Sequence, residues 1–364
     1  MLKKNFKEAA ERNKRFLKRQ MMDGILFKAF TWENPWAEPE ARDSSWIDRD
    51  CLAISDREWV LKKSHTNAMY NNDMEDDAIP EIYPTSHFGE SIYPGLLGGN
   101  IRFVGNEYTT CSGAEPMVRS IEDLEALKYD ENNHWVKAFS EAARYFASET
   151  KGDYWIKYMI SMDALNLAVE LAGTTEAYYM LYDDEALLRK IMEFGVDFNQ
   201  WFYKLQKNIY EKNNRAALED EELYDLFDKT WYSIDAYDVC DPKMYEAFGL
   251  EYQQELINRV GGGMLHTHAT GLLRLLPQIS KLKGLGVMQI GRDLYSGEWL
   301  PFEEIHDIRK MTGDTPLRFE VSPEEFLNGI KNKTLPGGIE YLCTNIKTVD
   351  QANKLADMAK EYRI

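Results

Sequence analysis

The chain has 364 residues, a length typical of two or three average domains or of one large barrel with extensions. Its formal net charge of −18 argues against proteins that wrap nucleic acid or dock on anionic lipid, because both need clustered positive charge. Hydrophobic residues make up 44% of the chain, enough for a packed core, so disorder is excluded for most of it.

Three further absences narrow the class of protein. No apolar run is long enough to cross a bilayer, and the first residues lack the apolar stretch of a signal peptide. The four cysteines are too few and too scattered for a disulfide framework. We therefore expect a cytoplasmic globular protein that binds neither nucleic acid nor membrane. Nothing in the sequence indicates its oligomeric state.

Residues 1–100 predict an N-terminal extension of charged helices and loops. Helical patterns over 3–21 and 56–69 alternate with stretches rich in Asn, Asp, Pro and Gly. Asp77 and His87 lie where acids and a histidine cluster near aromatic residues. Such a segment could close over a barrel mouth and contact substrate, and the alternative is an ordered surface loop whose aromatic side chains fill the core. The glycine-rich segment 94–100 lacks the Lys-Ser/Thr ending of a phosphate loop and is interpreted as a turn.

From about residue 153 onward, strand patterns alternate with helical patterns. A strand is predicted at 154–160, followed by a helix over 163–171 that Gly173 ends and a long helix over 184–212. Further strands, most of them followed by a helix, are predicted at 230–235, 263–268, 286–290, 316–321 and 338–343, and a last helix at 349–362. Ser322-Pro323 and Asp241-Pro242 mark two of the helix starts.

This alternation predicts parallel strands with helical crossovers, and therefore the α/β class. An open doubly wound sheet suits the periodicity equally well. The missing dinucleotide fingerprint and the number of units favour a (β/α)8 TIM barrel. We expect one domain over residues 1–364, of which residues 1–100 form the helical, loop-rich extension.

Two histidines and a cysteine form a candidate metal site. His266 and His268 are two residues apart on a predicted strand, so both side chains lie on one face. Cys343 ends another predicted strand. Three such ligands would leave one position of tetrahedral zinc open, as catalytic sites require. One alternative is that the His-x-His pair arose by chance and that the cysteine is a small buried hydrophobic residue. Another is that the histidines hydrogen bond an anionic substrate.

Acidic and aromatic residues near other strand ends complete the candidate site. Asp235 ends the predicted strand 230–235 and is assigned, with His266, to catalysis as an acid, a base or an orienting group. The alternative is a loop cap, because Asp238 and Asp241 follow closely. Glu320 is a weaker candidate that could instead pair with a surface lysine. Substrate contacts are assigned to Tyr232, Asp77, His87 and Glu320.

The stretch Met264-Leu265-His266-Thr267-His268-Ala269-Thr270-Gly271 resembles the strand that ends in His-x-Cys-Gly in the uroporphyrinogen decarboxylase superfamily. Cys343 followed ten residues later by Asn353 resembles the zinc cysteine and asparagine of that superfamily's last segment, in its corrinoid-dependent methyltransferase branch. The resemblance implies zinc held by His266, His268 and Cys343. It also implies a small-molecule substrate and a corrinoid carried by a partner protein.

Two departures from the superfamily affect the expected activity. The Arg-Gln-Ala-Gly-Arg segment that holds the carboxylates of uroporphyrinogen has no match here, so haem-pathway decarboxylation is disfavoured. His268 stands where the methyltransferases have cysteine, which leaves a zinc site at a formal charge of +1 and makes the metal a stronger Lewis acid.

The expected function is therefore a zinc-dependent, methyltransferase-like enzyme that moves a methyl group between a corrinoid protein and a thiol or similar acceptor. One alternative is a decarboxylase of the uroporphyrinogen decarboxylase type that acts on a carboxylated small molecule, with Asp235 stabilising a protonated ring. Another alternative is a non-catalytic barrel that binds a small ligand.

Overall fold

A computed structural model describes residues 3–30, 54–105, 110–291, 302 and 304–364. Its first elements, with their bounds, are α1 (Phe6–Leu17), β1 (Ile25–Ala29), α2 (Ile54–Asn72), β2 (Glu81–Ile82), α3 (Ile92–Leu96), β3 (Ile101–Gly105), β4 (Thr110–Ala114), α4 (Ile121–Ala126), α5 (His134–Thr150), β5 (Trp155–Ile156) and β6 (Ser161–Met162). A 3-10 helix, Pro84–Phe88, lies between β2 and α3.

The second half of the chain alternates strands and helices. Its elements are α6 (Ala164–Ala172), α7 (Thr174–Asp183), α8 (Glu185–Leu218), α9 (Glu221–Phe227), β7 (Tyr232–Ser233), α10 (Pro242–Phe248), α11 (Leu250–Val260), β8 (Met264–His268), α12 (Ala269–Ile279), β9 (Val287–Gly291), α13 (Glu304–Thr312), β10 (Leu317–Val321), α14 (Pro323–Asn332), β11 (Ile339–Cys343) and α15 (Val349–Glu361). A second 3-10 helix, Asp235–Val239, follows β7.

A seven-stranded parallel sheet forms the centre of the fold, in the order β1-β11-β10-β9-β8-β7-β6. Helices connect most of the successive strands, as parallel pairing requires. Two smaller sheets pair β2 with β5 in parallel and β3 with β4 in antiparallel orientation. This mixed α/β architecture is that of a TIM-barrel-like fold, although the ladders of the described strands do not join into one closed ring.

The edge of β1 that faces away from β11 is hydrogen bonded to the segment before β2. The amide of Ala29 donates to Asp76 Oδ2 (2.8 Å), and the amide of Phe27 donates to Asp77 Oδ2 (2.9 Å). Asp77 Oδ1 also accepts a hydrogen bond from Arg12 Nε of α1 at 2.6 Å. The predicted lid role of Asp77 does not fit this placement, because both of its oxygens are used inside the fold.

The two faces of the large sheet differ in chemistry. On the helix-facing side, Phe326 of α14 packs against Phe27 and Tyr341, with ring centroids 4.8 and 5.6 Å apart. On the opposite side, Glu340 pairs with Arg318 and, at 2.9 Å, with Lys28. Because side chains alternate along a strand, the strands present a mostly apolar face to the helices and a face with both polar and apolar side chains to the interior.

Several predicted boundaries are confirmed by side-chain geometry. Asp163 caps α6 by accepting a hydrogen bond from the amide of Asn166 at 2.6 Å. Ser322 and Glu325 form the capping box of α14.

Two predicted segments differ from the structure. The segment expected to be a strand at 154–160 contains only the short strand β5, and β6 follows it at Ser161–Met162. The segment 94–100 begins inside α3 rather than as a turn. In the described part of the chain, no helix is both long and apolar enough to cross a membrane.

Candidate functional site

Three side chains that can bind a metal ion meet at the carboxyl ends of β7 and β8. His266 and His268 share the interior face of β8, and their ring centroids are 4.9 Å apart. Asp235 begins the 3-10 helix after β7, with its Oδ1 3.9 Å from His266 Nε2 and 3.6 Å from His268 Nδ1. One ligand atom from each residue lies within 4.8 Å of the other two. We call this group the His-Asp cluster.

Hydrogen bonds to neighbouring strands and loops orient both imidazoles. Gln289 Oε1, on β9, lies 3.3 Å from His266 Nδ1. Asp238 Oδ2 lies 2.9 Å from His268 Nδ1, and Asp238 Oδ1 accepts a hydrogen bond from Thr267 Oγ1. An oxygen acceptor favours a proton on the nitrogen that faces it and leaves the other ring nitrogen with its lone pair. This arrangement is common around histidines that bind metals.

Burial keeps His266 in the form that metals bind. Burial lowers the pKa of His266, and the charge of nearby Asp235 opposes that shift only in part. The imidazole is therefore neutral near pH 7, and a neutral imidazole is the ligand form.

Several carboxyl groups crowd around the His-Asp cluster. Burial raises the pKa of Glu90, and the charge of Asp235 raises it further. Burial also raises the pKa of Asp163 well above its usual range, and Asp235 and Asp238 add to this shift. Asp235 Oδ1 is itself buried and has no hydrogen-bond partner in the described residues. Crowded, desolvated carboxyl groups are stabilised by a cation placed among them.

Local hydrogen bonds hold the backbone that carries Asp235. Asn166 of α6 accepts a hydrogen bond from the amide of Ala236 and donates one to Ser233 Oγ, both at 2.8 Å. Helix α12 approaches Asp238 so closely that a Cβ atom on Gly271 would lie 1.8 Å from Asp238 Oδ1. Glycine at this position therefore permits the contact between α12 and the loop that carries the acids.

Cys343 does not lie in the His-Asp cluster. His266 is in register with Gln289, Gln289 with Arg318, and Arg318 with Glu340, so these four side chains share the interior face. Cys343 is three residues beyond Glu340 on the same strand and therefore points to the helix-facing side. It is fully buried in the hydrophobic core, and burial raises the pKa of its thiol to about 12.

Asn353, the other residue of that resemblance, also lies away from the cluster. Its Oδ1 accepts a hydrogen bond from the amide of Glu75 at 2.7 Å, so it anchors the segment that precedes β2.

The residues assigned to substrate contacts lie in different places. Tyr232 points to the helix-facing side of β7 and donates a hydrogen bond to the carbonyl of Gly261, because it alternates with Ser233 on the strand. His87 is half-buried in the first 3-10 helix and is not part of the His-Asp cluster. Glu320 shares the interior face of β10 with Arg318, so of the four assigned residues it is the one on the face of the site histidines.

Three residues near the site were not assigned roles from sequence: Asp238, Gln289 and Glu90. Gln289 could have been found from the sequence, because it is the polar residue in the otherwise apolar strand Val287–Gly291. Glu90 lies three residues after His87, in the segment interpreted either as a cover of the barrel mouth or as an ordered surface loop. The charge of Asp235 raises the pKa of Glu90.

A cavity of about 300 Å³ is linked to the cluster through Gln289, one of its lining residues. We call it the upper cavity. Its lining includes Gln289, which contacts His266, together with Trp231, Lys28, Lys157 and Arg318. This volume is at the lower end of the range of small-molecule sites.

Comparisons with known proteins show a similarity of fold but none of sequence. No protein-family model matches the chain, and no curated protein matches its sequence. A methyltransferase from Methanosarcina mazei matches in structure with a TM-score of 0.58 and 10% sequence identity, and the match covers 97% of this chain and 98% of that chain. At this identity the likeness establishes the fold and leaves activity to be argued from the site. The chain therefore has a methyltransferase-like α/β fold over nearly its whole length.

Proposed function

We propose that this protein is a zinc-dependent, methyltransferase-like enzyme that moves a methyl group between a corrinoid protein and a thiol or similar acceptor. The observation that carries the proposal is the His-Asp cluster at the carboxyl ends of β7 and β8. This is the edge of a parallel α/β fold where active sites are found. The fold likeness to a methyltransferase supports the choice of reaction class.

The residues present fit a zinc ion. Two imidazole nitrogens and one carboxylate oxygen are common zinc ligands, and a set of three leaves a position open for substrate. Asp235 takes the place that the sequence resemblance gave to Cys343, and the formal charge of the loaded site stays at +1. The buried Asp235 Oδ1 has no hydrogen-bond partner among the described residues, and such a cation would satisfy this oxygen.

Zinc bound at this cluster would supply Lewis acidity, which lowers the pKa of a thiol that approaches it. The residues of the chain have separate tasks. Asp238 and Gln289 fix the orientation of the two imidazole rings. Glu90 has a raised pKa and can therefore accept and return the proton that an acceptor thiol loses. The upper cavity holds the body of the acceptor.

We also infer that the strands complete an eight-membered barrel around the upper cavity. β5 and β6 are separated by only four residues, and together they pair with β2 on one side and β7 on the other. The hydrogen bonds of Asp76 and Asp77 to β1 span the remaining gap between β1 and the segment leading into β2. The His-Asp cluster then lies at the mouth of this barrel.

A second candidate activity is decarboxylation of a carboxylated small molecule. Lys28, Lys157 and Arg318 line the upper cavity, and such cations suit a substrate carboxylate. The two candidates differ in product, because only decarboxylation releases carbon dioxide.

The test is methyl transfer from methylcobalamin to a small thiol such as 2-mercaptoethanol by the zinc-loaded protein. We expect Asp235→Asn to reduce the rate by about a hundredfold or more, because a positioned carboxylate is lost. Asp241→Asn is the matched control, since Asp241 is an exposed helix cap six residues away, and it should retain the parent rate.

Two outcomes would contradict the proposal. One is an unchanged rate in Asp235→Asn. The other is carbon dioxide release from a carboxylated substrate without any methyl transfer to thiols, which would favour the decarboxylase.

A further inference from the structure

A second cavity lies at the opposite end of the strands from the His-Asp cluster. It has a volume of about 300 Å³ and is bordered by the residues that begin β7, β8 and β9, with α1 beside it. We call it the lower cavity. Among its lining residues are the cations Arg19, Lys28, Lys157, Lys229 and Arg318. Active sites of barrels lie at the other end, so this cavity is distinct from the His-Asp cluster. It adjoins the upper cavity, and the two share the lining residues Lys28, Glu81, Lys157, Trp231 and Arg318.

The charges that line the lower cavity do not balance. Among the described lining residues, five cationic side chains face two carboxylates, those of Glu81 and Glu340. Glu340 is shared between Arg318 and Lys28, and Glu81 lies 3.4 Å from Lys157. In a chain with a net charge of −18, such a concentration of positive charge does not follow from composition.

Two of the five cations take no part in the ion pairs of Glu340 and Glu81. Arg19 pairs with Asp314 at 2.8 Å, and that carboxylate is exposed on the surface. Lys229 is half-buried and has no carboxylate within ion-pair distance in the described part of the chain. Lys229 lines the lower cavity and is not among the residues that line the upper one. It is therefore the cation best placed to meet an anion from outside.

Aromatic rings form the remaining wall of the lower cavity. Lys157 Nζ lies 3.6 Å from the ring centroid of Trp231, and the guanidinium carbon of Arg318 lies 5.3 Å from it. Phe16 and Trp155 also line the space. Cations beside flat apolar surfaces suit a ligand that has an anionic group on an apolar body.

We propose that the lower cavity binds a small organic anion, with its carboxylate or phosphate near Lys229 and its flat apolar body against Trp231. The anion compensates the excess of positive charge that the lining residues create. Burial lowers the pKa of Lys157, and a bound anion would favour its charged form. This site does not depend on the function proposed for the His-Asp cluster.

The test is isothermal titration calorimetry of the full-length protein with benzoate, and with uncharged benzamide as the matched ligand. We expect benzoate to bind and benzamide to bind at least about tenfold more weakly, because a charge-assisted hydrogen bond is lost. Lys229→Gln should weaken benzoate binding by about tenfold for the same reason. Lys281→Gln removes an exposed lysine that pairs with Glu246, and it should retain the parent affinity.

His266→Ala locates the bound anion, because it alters the His-Asp cluster and leaves the lower cavity intact. We expect it to bind benzoate as the parent does. The proposal is overturned if benzoate fails to bind, if benzamide binds equally well, if Lys229→Gln keeps the parent affinity, or if His266→Ala loses it. Should Lys229→Gln fail to fold, Lys229→Met carries the same expectation, because it keeps the apolar stem of the side chain and removes its charge.

Discussion

His266→Ala is expected to lower the zinc affinity of the protein by at least about a hundredfold, from a parent that binds about one zinc per chain. The reason is that His266 supplies one of the three ligand atoms that lie within 4.8 Å of one another. Its loss leaves His268 and Asp235 as the two remaining ligands of the cluster. The measurement is elemental analysis after dialysis against a series of zinc buffers.

The control for this variant is His306→Ala, because His306 is an exposed histidine on α13. It should bind zinc as the parent does. Equal zinc affinity in the two variants would place any bound metal elsewhere in the chain, and no zinc in the parent would remove the site altogether.

Asp77→Asn is expected to destabilise the fold by about 3–5 kcal/mol, the usual cost of removing one partner of a buried ion pair. Only 2% of the Asp77 side chain is exposed, and its carboxylate binds both Arg12 and the amide of Phe27. The substitution leaves the Arg12 cation buried without its counter-ion. Urea unfolding followed by tryptophan fluorescence measures the change.

Asp314→Asn is the matched control, because it breaks an Asp–Arg pair at 2.8 Å whose carboxylate is 62% exposed. Exposed pairs contribute under about 1 kcal/mol. If both variants lost the same stability, the segment containing Asp77 would not be the structural connection between α1 and β1 that we describe.

Much of the second half of the fold could be predicted from periodicity. The strands β8 to β11 lie within one residue of their predicted positions, and their spacing in the chain leaves room for a helix between successive strands. The strand β1 was missed and was included in the N-terminal extension. Its sequence Ile25–Ala29 is buried on both faces, and its outer edge pairs with side chains rather than with another strand. Such pairing leaves no periodic signal.

The candidate ligands illustrate what alternation along a strand can decide. His266 and His268 were placed on one face because they are two residues apart. The same rule places Cys343 and Glu340, which are three residues apart, on opposite faces of the strand. Alternation alone does not say which of the two side chains points to the interior. That information comes from the ion pairs of Glu340 with Arg318 and Lys28, which only the folded chain brings together.

Asp235 was expected to face His266, and it does lie beside His266 in the structure, but on a different element from the one expected. The sequence interpretation extended the strand to Asp235, whereas β7 ends at Ser233 and Asp235 begins a 3-10 helix. Its position depends on the hydrogen bonds of Asn166, a residue 69 positions earlier in the chain. No local pattern reports such a contact.

The most direct measurement of the proposed site is X-ray absorption fine structure at the zinc K-edge of the zinc-loaded protein. The ligand set His266, His268 and Asp235 predicts a first shell of nitrogen and oxygen only, at about 2.0–2.2 Å. A sulfur scatterer at about 2.3 Å would contradict this ligand set, because it would require Cys343 or another cysteine to bind the metal.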